Sequence, residues 1–161
     1  MKIEIKSEVI CLLKNLYKDS LPKETGGILF GYYSDDLTLA YITDIYYNIE
    51  DSKKSYRSFI RGKKGFKQYS KKMWREKKYY LGEWHTHPNS LPYMSIQDKN
   101  QMFEIQKSKK MKCPEPILLI IGEKDGRILL STQIFLSSDI ILEQKKFNFS
   151  LKQNILYYKY R

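Results

Sequence analysis

Apolar positions recur along the chain in two periods, and the switches between them mark its elements. Lys2–Ile5 alternates polar and apolar, which predicts a short strand. Ser7 is placed to cap a helix, and Val9, Leu12, Leu13 and Leu16 follow at helical spacing. The pattern therefore predicts an amphipathic helix over 8–18, with Pro22 closing the connection. Gly26 and Gly27, where a backbone bends or is closely approached, precede a buried strand opening at Ile28–Phe30. The turn Ser34-Asp35-Asp36 leads into Leu37–Tyr47, a long strand rich in β-branched and aromatic residues. Its simplest partner across that turn is antiparallel.

Residues 48–62 are polar and read as irregular, with a candidate short strand around Tyr56–Ile60. Residues 64–78 read as a helix with Phe66, Tyr69, Met73 and Trp74 on a core-facing side and lysines on the other. Tyr79–His87 reads as a strand, and Pro88, Asn89, Ser90 and Pro92 as a loop. Ser95 then caps a helix running to about Lys110, with Asp98 where a capping-box acid sits. Ile117–Ile121 and Ile128–Leu136 are strands joined through Glu-Lys-Asp-Gly. Beyond Ser137, Ile140–Leu142 and Asn154–Tyr160 fit strands or a short helix equally well. No repeat, linker or composition shift divides the chain, so a single domain over 1–161 is expected, of mixed α and β content.

Composition narrows the class. A length of 161 residues with 42% hydrophobic content suits one globular core and excludes a disordered chain. No apolar run approaches the roughly 18 residues of a membrane span, so no membrane partner is expected. The start, Met-Lys-Ile-Glu-Ile-Lys, has no apolar signal core, which predicts no export. Cys11 and Cys113 are too few and too distant for a disulfide framework and read as buried thiols of a reducing cytoplasm. The net charge of +11 is concentrated: Lys53–Lys78 holds twelve Lys or Arg against one acid, Glu76, which is the whole surplus. Such a run is a solvated helix face, or a docking surface for nucleic acid or an acidic protein. With Tyr56, Phe59, Phe66, Tyr69 and Trp74 interleaved, a nucleic-acid-binding module is the alternative reading of the chain.

The candidate chemistry lies in Leu81–Asp98. Both histidines of the chain, His85 and His87, are here, at the i, i+2 spacing that puts two imidazoles on one face of a strand. Asp98 supplies a third ligand, an oxygen, if the chain folds back. Two nitrogens, a carboxylate oxygen and a water make the open tetrahedral site of a catalytic zinc. Asp98 and Ser95 also read as an ordinary helix cap, and the two readings are compatible. A hydrolytic site needs a general base. Glu83 is in phase with the histidines, and Glu24 precedes the Gly-Gly strand; spacing does not choose between them, and Glu83 could equally orient an imidazole.

Taken together, Glu-Thr-Gly-Gly-Ile-Leu-Phe-Gly at 24–31, Gly-Glu-Trp-His-Thr-His-Pro at 82–88, then Ser95 and Asp98, with ten residues between His87 and Asp98, resemble the JAMM (MPN+) metalloprotease motif without departure. The resemblance implies one zinc ion per chain, bound by His85, His87 and Asp98. It implies Glu24 as the general base, Ser95 as a stabiliser of the tetrahedral intermediate, and at most a supporting role for Glu83. The implied fold is an α/β (α+β) domain, a curved mixed β-sheet flanked by helices. The implied activity is cleavage of isopeptide or peptide bonds after the extended C-terminal tail of a ubiquitin or ubiquitin-like protein, or of another conjugated protein. The short form is most similar to bacterial deconjugases of anti-phage operons. Those stand beside a cyclic-oligonucleotide synthase (CBASS), or beside a modifier with its activating and conjugating enzymes, which would be this protein's partners. A small-molecule amide is a lesser option.

Overall fold

The computed structural model describes residues 1–136, 140–148 and 155–157. The elements run β1 (Lys2–Ile5), α1 (Ser7–Ser20), β2 (Gly26–Tyr33), β3 (Leu39–Tyr46), β4 (Lys53–Lys54), β5 (Phe59–Ile60), α2 (Phe66–Arg75), β6 (Tyr79–Thr86), α3 (Ile96–Lys107), β7 (Ile117–Lys124), β8 (Arg127–Phe135), β9 (Ile141–Asn148) and β10 (Ile155–Tyr157). Eight strands form one sheet in the order β10-β1-β3-β2-β6-β7-β8-β9, and β4 pairs only with β5. The sheet is mixed: β1–β3 and β6–β7 are parallel and the other neighbours antiparallel. The expected α+β architecture is thus the one found, and β2 and β3 pair antiparallel as expected.

Both faces of the sheet are covered, so its central strands are apolar on both sides. On one face α1 packs Val9, Leu13 and Tyr17 onto Ile3, Leu29, Ile117 and Leu119. On the other, α2 sets Met73, Phe66 and Tyr69 against Ile28, Phe30 and Tyr80. Beside it, α3 sets Met102 and Phe103 against Leu118, Ile120 and Phe135.

Several sequence readings shift. Leu37 is in the turn, at φ 55°, so β3 starts later than the apolar run. Lys6, not Ser7, is the cap of α1. Trp74 is 64% exposed, packed edge-on to Tyr79 at 4.9 Å rather than in the core. Its neighbour Met73 is buried, and adjacent helical side chains lie ~100° apart, so both cannot face the sheet. Cys11 is exposed, and only Cys113 is buried as expected, its thiol pushed up to about 12 by that burial. The tail segments with a description, β9 and β10, are strands; 137–139, 149–154 and 158–161, over which part of the tail reading falls, lie outside the described residues. Among the described residues no helix is long and apolar enough to cross a membrane.

One irregularity sets the phase of β6. Leu29 of β2 pairs with Gly82, and Phe30 with Tyr80, so Leu81 is an extra residue on β6. Gly82 takes φ 147°, and a Cβ there would collide with the backbone of Ile117 on β7. Gly82→Ala therefore costs about 3 kcal/mol or more, combining strain with backbone overlap. Gly126→Ala, at φ 73° with open space around it, costs about 1 kcal/mol from strain alone. Denaturant midpoints of the two variants check the contrast, and equal midpoints would refute the close β6–β7 approach.

Candidate metal centre

The bulge decides where the functional side chains of β6 point. Downstream of it Glu83 stands opposite Ile28 of β2 and beside Leu118 of β7, and His85 beside Ile120. These neighbours face α2 and α3, so Glu83 and His85 face the same way. His87 follows two residues later, and its N–H donates to the Ile121 carbonyl at 2.7 Å, which carries the strand direction past the end of β6.

The chain then folds back as the motif requires. Ser90 accepts a hydrogen bond from the Glu123 amide (2.7 Å), and the Pro92 carbonyl accepts one from the Ser131 hydroxyl (2.6 Å). The loop is thereby pinned to β7 and β8, and α3 starts above the histidines. Ser95 is the N-cap of α3: its Oγ accepts from the Asp98 N–H at 3.1 Å, while Asp98 Oδ2 accepts from the Ser95 N–H at 2.8 Å and from its hydroxyl at 2.6 Å. The capping box is complete. It uses one carboxylate oxygen and leaves Asp98 Oδ1 aimed at His85, 3.6 Å from its Nε2.

His85 Nε2 and His87 Nε2 are 3.1 Å apart. The ligand atoms of His85, His87 and Asp98 all lie within 4.8 Å of one another. Ligands of a tetrahedral ion at the usual zinc distances stand roughly 3.3–3.5 Å apart, so these three residues could hold one ion. Tautomers are compatible as well. The Leu91 carbonyl lies 3.3 Å from His87 Nδ1, and a proton there leaves Nε2 its lone pair. Burial holds the His85 pKa down to about 4, with the neighbouring His87 acting in the same sense and Asp98 against it, so the ring is neutral, the form that binds metal.

Glu24 reaches this place from the strand beside β6. The Thr25 N–H donates to Thr86 Oγ1 at 3.0 Å and the Thr86 N–H to the Thr25 carbonyl at 2.8 Å, which continues the β2–β6 ladder past Gly26. A Cβ on Gly26 would collide with the Trp84 carbonyl and the Phe59 ring, so glycine is required where the two strands and the β4–β5 hairpin meet. Glu24, His85, His87, Ser95 and Asp98 line one cleft of about 380 Å³. Burial, and then the charge of Asp98, raise the Glu24 pKa to about 7. A divalent cation held by the three ligands would act in the opposite direction.

Glu83 lines the same cleft but is engaged. Arg61 shares its Nε–H between both Glu83 oxygens, at 2.9 and 2.8 Å, and the Tyr80 hydroxyl donates to Oε1 at 3.0 Å. Burial pushes the Glu83 carboxyl up, while Arg61 and Tyr80 pull it down. Of the two candidate bases left open by spacing, Glu83 is the one held by a cation, and among the described residues no ion pair engages Glu24. Nothing in the sequence singles out Arg61, Tyr80 or Leu91. Arg61 sits in the basic run with nothing to mark it, and Tyr80 reads as one more aromatic of a buried strand. The aromatics proposed as a stacking platform are dispersed: Phe66 and Tyr69 pack in the α2 core, Phe59 lies against Gly26, and Tyr56 and Trp74 are exposed.

A family model described as prokaryotic homologs of the JAB domain matches residues 13–132, a span that runs from α1 into β8 and includes Glu24, both histidines, Ser95 and Asp98. A curated relative, the CD-NTase/cGAS isopeptidase of Enterobacter hormaechei subsp. hoffmannii (strain UCI 50), is 37% identical over 112 residues, which cover 69% of this chain and 62% of that protein. The chain thus spans less than two thirds of that relative's length. The solution structure of protein DSY2949 from Desulfitobacterium hafniense superposes with a TM-score of 0.66 at 19% identity, over 89% of this chain and 90% of that one, a likeness of fold. Since the matching family model extends over most of its length, the chain belongs to the prokaryotic JAB-domain family.

Proposed function

We propose that this protein is a zinc-dependent isopeptidase that releases a ubiquitin-like modifier, or another protein conjugated through its C-terminus, from its target. The observation that carries the reading is the convergence of His85, His87 and Asp98 within 4.8 Å, with an acid, Glu24, in the same cleft. The relative named CD-NTase/cGAS isopeptidase supports the same bond class, and the resemblance of the motif to deconjugases of anti-phage operons is the ground for that setting. His85, His87 and Asp98 would hold one zinc ion, which when bound supplies Lewis-acid polarisation of the scissile carbonyl and acidifies the attacking water.

The rest is the work of this chain. Glu24 takes a proton from the water as its oxygen attacks the carbonyl carbon, and delivers that proton to the departing lysine ε-amine as the C–N bond breaks. The products are a C-terminal carboxylate and a free amine. Ser95 faces the cleft with its hydroxyl donated to Asp98, so in the resting geometry it orients the carboxylate. Turning that hydroxyl toward the developing oxyanion would add stabilisation in the transition state. The extended tail of the modifier would lie between the start of α3 and the β4–β5 hairpin, whose Phe59 and Ile60 also line the cleft.

An isopeptide-linked conjugate incubated with the zinc-loaded protein should be cut, and a chelator should abolish the cleavage. Glu24→Gln should lower kcat by at least about a thousandfold while one zinc per chain stays bound; full activity in this variant with loss in Glu83→Gln would move the base to Glu83. His85→Ala should lose metal and activity together, and retention of one equivalent of tightly bound zinc would point to other ligands. Ser95→Ala removes a cap and a carboxylate donor at once. It should cost about 1 kcal/mol of stability, weaken zinc binding about tenfold and slow turnover; an unchanged zinc affinity would show that Ser95 does not orient Asp98.

A further inference from the structure

We infer that the buried Arg61–Glu83 pair is a positioning device that clamps the β4–β5 hairpin onto β6 and so sets the wall of the cleft against which substrate lies. This rests on the proposed function for its meaning in catalysis, though not for its structural content. Arg61 follows directly on β5, and Glu83 stands two residues before His85 on β6, so the pair joins the hairpin to the strand that carries both imidazoles. The side chains are 17% and 7% exposed. The pair is also over-determined: Arg61 donates its terminal N–H to the Gly62 carbonyl at 2.9 Å, lies over the Phe66 ring at 5.7 Å, and meets Glu83 together with the Tyr80 hydroxyl.

The hairpin needs such a clamp. Its strands are two residues each and belong to no larger sheet, a unit that is marginal alone. Its other described ties to the sheet are the Phe59 ring against Gly26 and a single backbone bond, from the Glu24 N–H to the Ser55 carbonyl at 2.8 Å. That last bond gives the clamp a second consequence. The hairpin holds the backbone of Glu24 from one side, while it presents Arg57, Ser58, Phe59 and Ile60 to the cleft. An ion pair buried to this degree is a poor source of net stability, since desolvation offsets most of the attraction. Its worth here is registry: it fixes one geometry of a segment that packing alone leaves loose.

The test uses the zinc-loaded protein with Glu83→Gln and Arg61→Lys, the second keeping a cation for Glu83 without the planar guanidinium. Amide hydrogen exchange should accelerate about tenfold or more over residues 53–62 in Glu83→Gln, and by a smaller factor in Arg61→Lys. Protection of β2, β6 and β7 and one zinc per chain should be retained in both. With an isopeptide conjugate, KM should rise about tenfold and kcat fall less, with partial recovery in Arg61→Lys. A uniform gain in exchange across the sheet would make the pair a general stabiliser and overturn the proposal. So would wild-type exchange at 53–62 in either variant. The exchange experiment needs no cleavage, so the clamp can fail while the isopeptidase reading stands, and the reverse.

Discussion

The site depends on one extra residue in β6. Side chains of a strand alternate, so taking up Leu81 as a bulge opposite the Leu29–Phe30 step gives everything after it the opposite facing to the one strict alternation from Tyr80 would impose. Tyr80 before the bulge and Glu83 and His85 after it then share the face covered by α2 and α3, while Leu81 and Trp84 both turn to the core under α1. Were the same sequence run as an unbulged ladder, strict alternation from Tyr80 would turn Glu83 and His85 toward that core, among Leu13, Ile42 and Leu119. Gly82 permits the arrangement because the parallel strand β7 approaches its Cα closely. The chemistry of the site is in this sense a consequence of backbone geometry settled before any functional side chain is considered.

Asp98 shows a second economy of construction. α3 is lightly anchored, with Met102 as its buried residue, and its start stands at the mouth of the cleft. A helix so placed gains from a completed cap, and a negative charge in its first turn is favoured by the helix dipole. The same cap fixes the carboxylate: Oδ2 is held by Ser95, and Oδ1 is left free to face His85. The capping and ligand readings of Ser-x-x-Asp are therefore one structure with two uses. A ligand whose rotamer is already held by the fold loses little freedom when it binds, the usual basis of a preorganised site.

What the sequence made legible follows from how local the signal was. His85 and His87 are tied by strand period, Ser95 and Asp98 by helix-cap spacing, and the long strands and the flanking helices α1 and α2 by their own hydrophobic periods. Each of these is a relation within about four residues, and each reappears in the fold. Periodicity cannot decide which of two adjacent apolar residues takes the buried side, and here Met73 takes it while Trp74 does not. Nothing in the sequence marks the bulge, because Leu81-Gly82 reads as uninterrupted strand until β2 is laid against it. Glu83 was ambiguous for a similar reason. Its partner Arg61 is far away in sequence, in a stretch whose pattern is neither helical nor extended.

That stretch also changes how the charge of the chain is understood. Read along the sequence, Lys53–Lys78 is one basic block. In the fold it divides among unlike environments. The α2 lysines lie on the face opposite Phe66, Tyr69 and Met73, in solvent. Lys64 meets Glu50 at the surface, and Lys78 lies between Asp44 and Glu76, partly covered. Arg61 is taken inside, and an arginine suits that place where lysine would not. It stays charged when desolvated, its flat group lies over Phe66, and it keeps donors for the Gly62 carbonyl while its Nε serves Glu83. The charge run is thus mostly a solvated surface, as runs of this kind usually are. Arg57 also lines the cleft, but Arg61 bears on the candidate site by being withdrawn from solvent, and no measure of net charge would single it out.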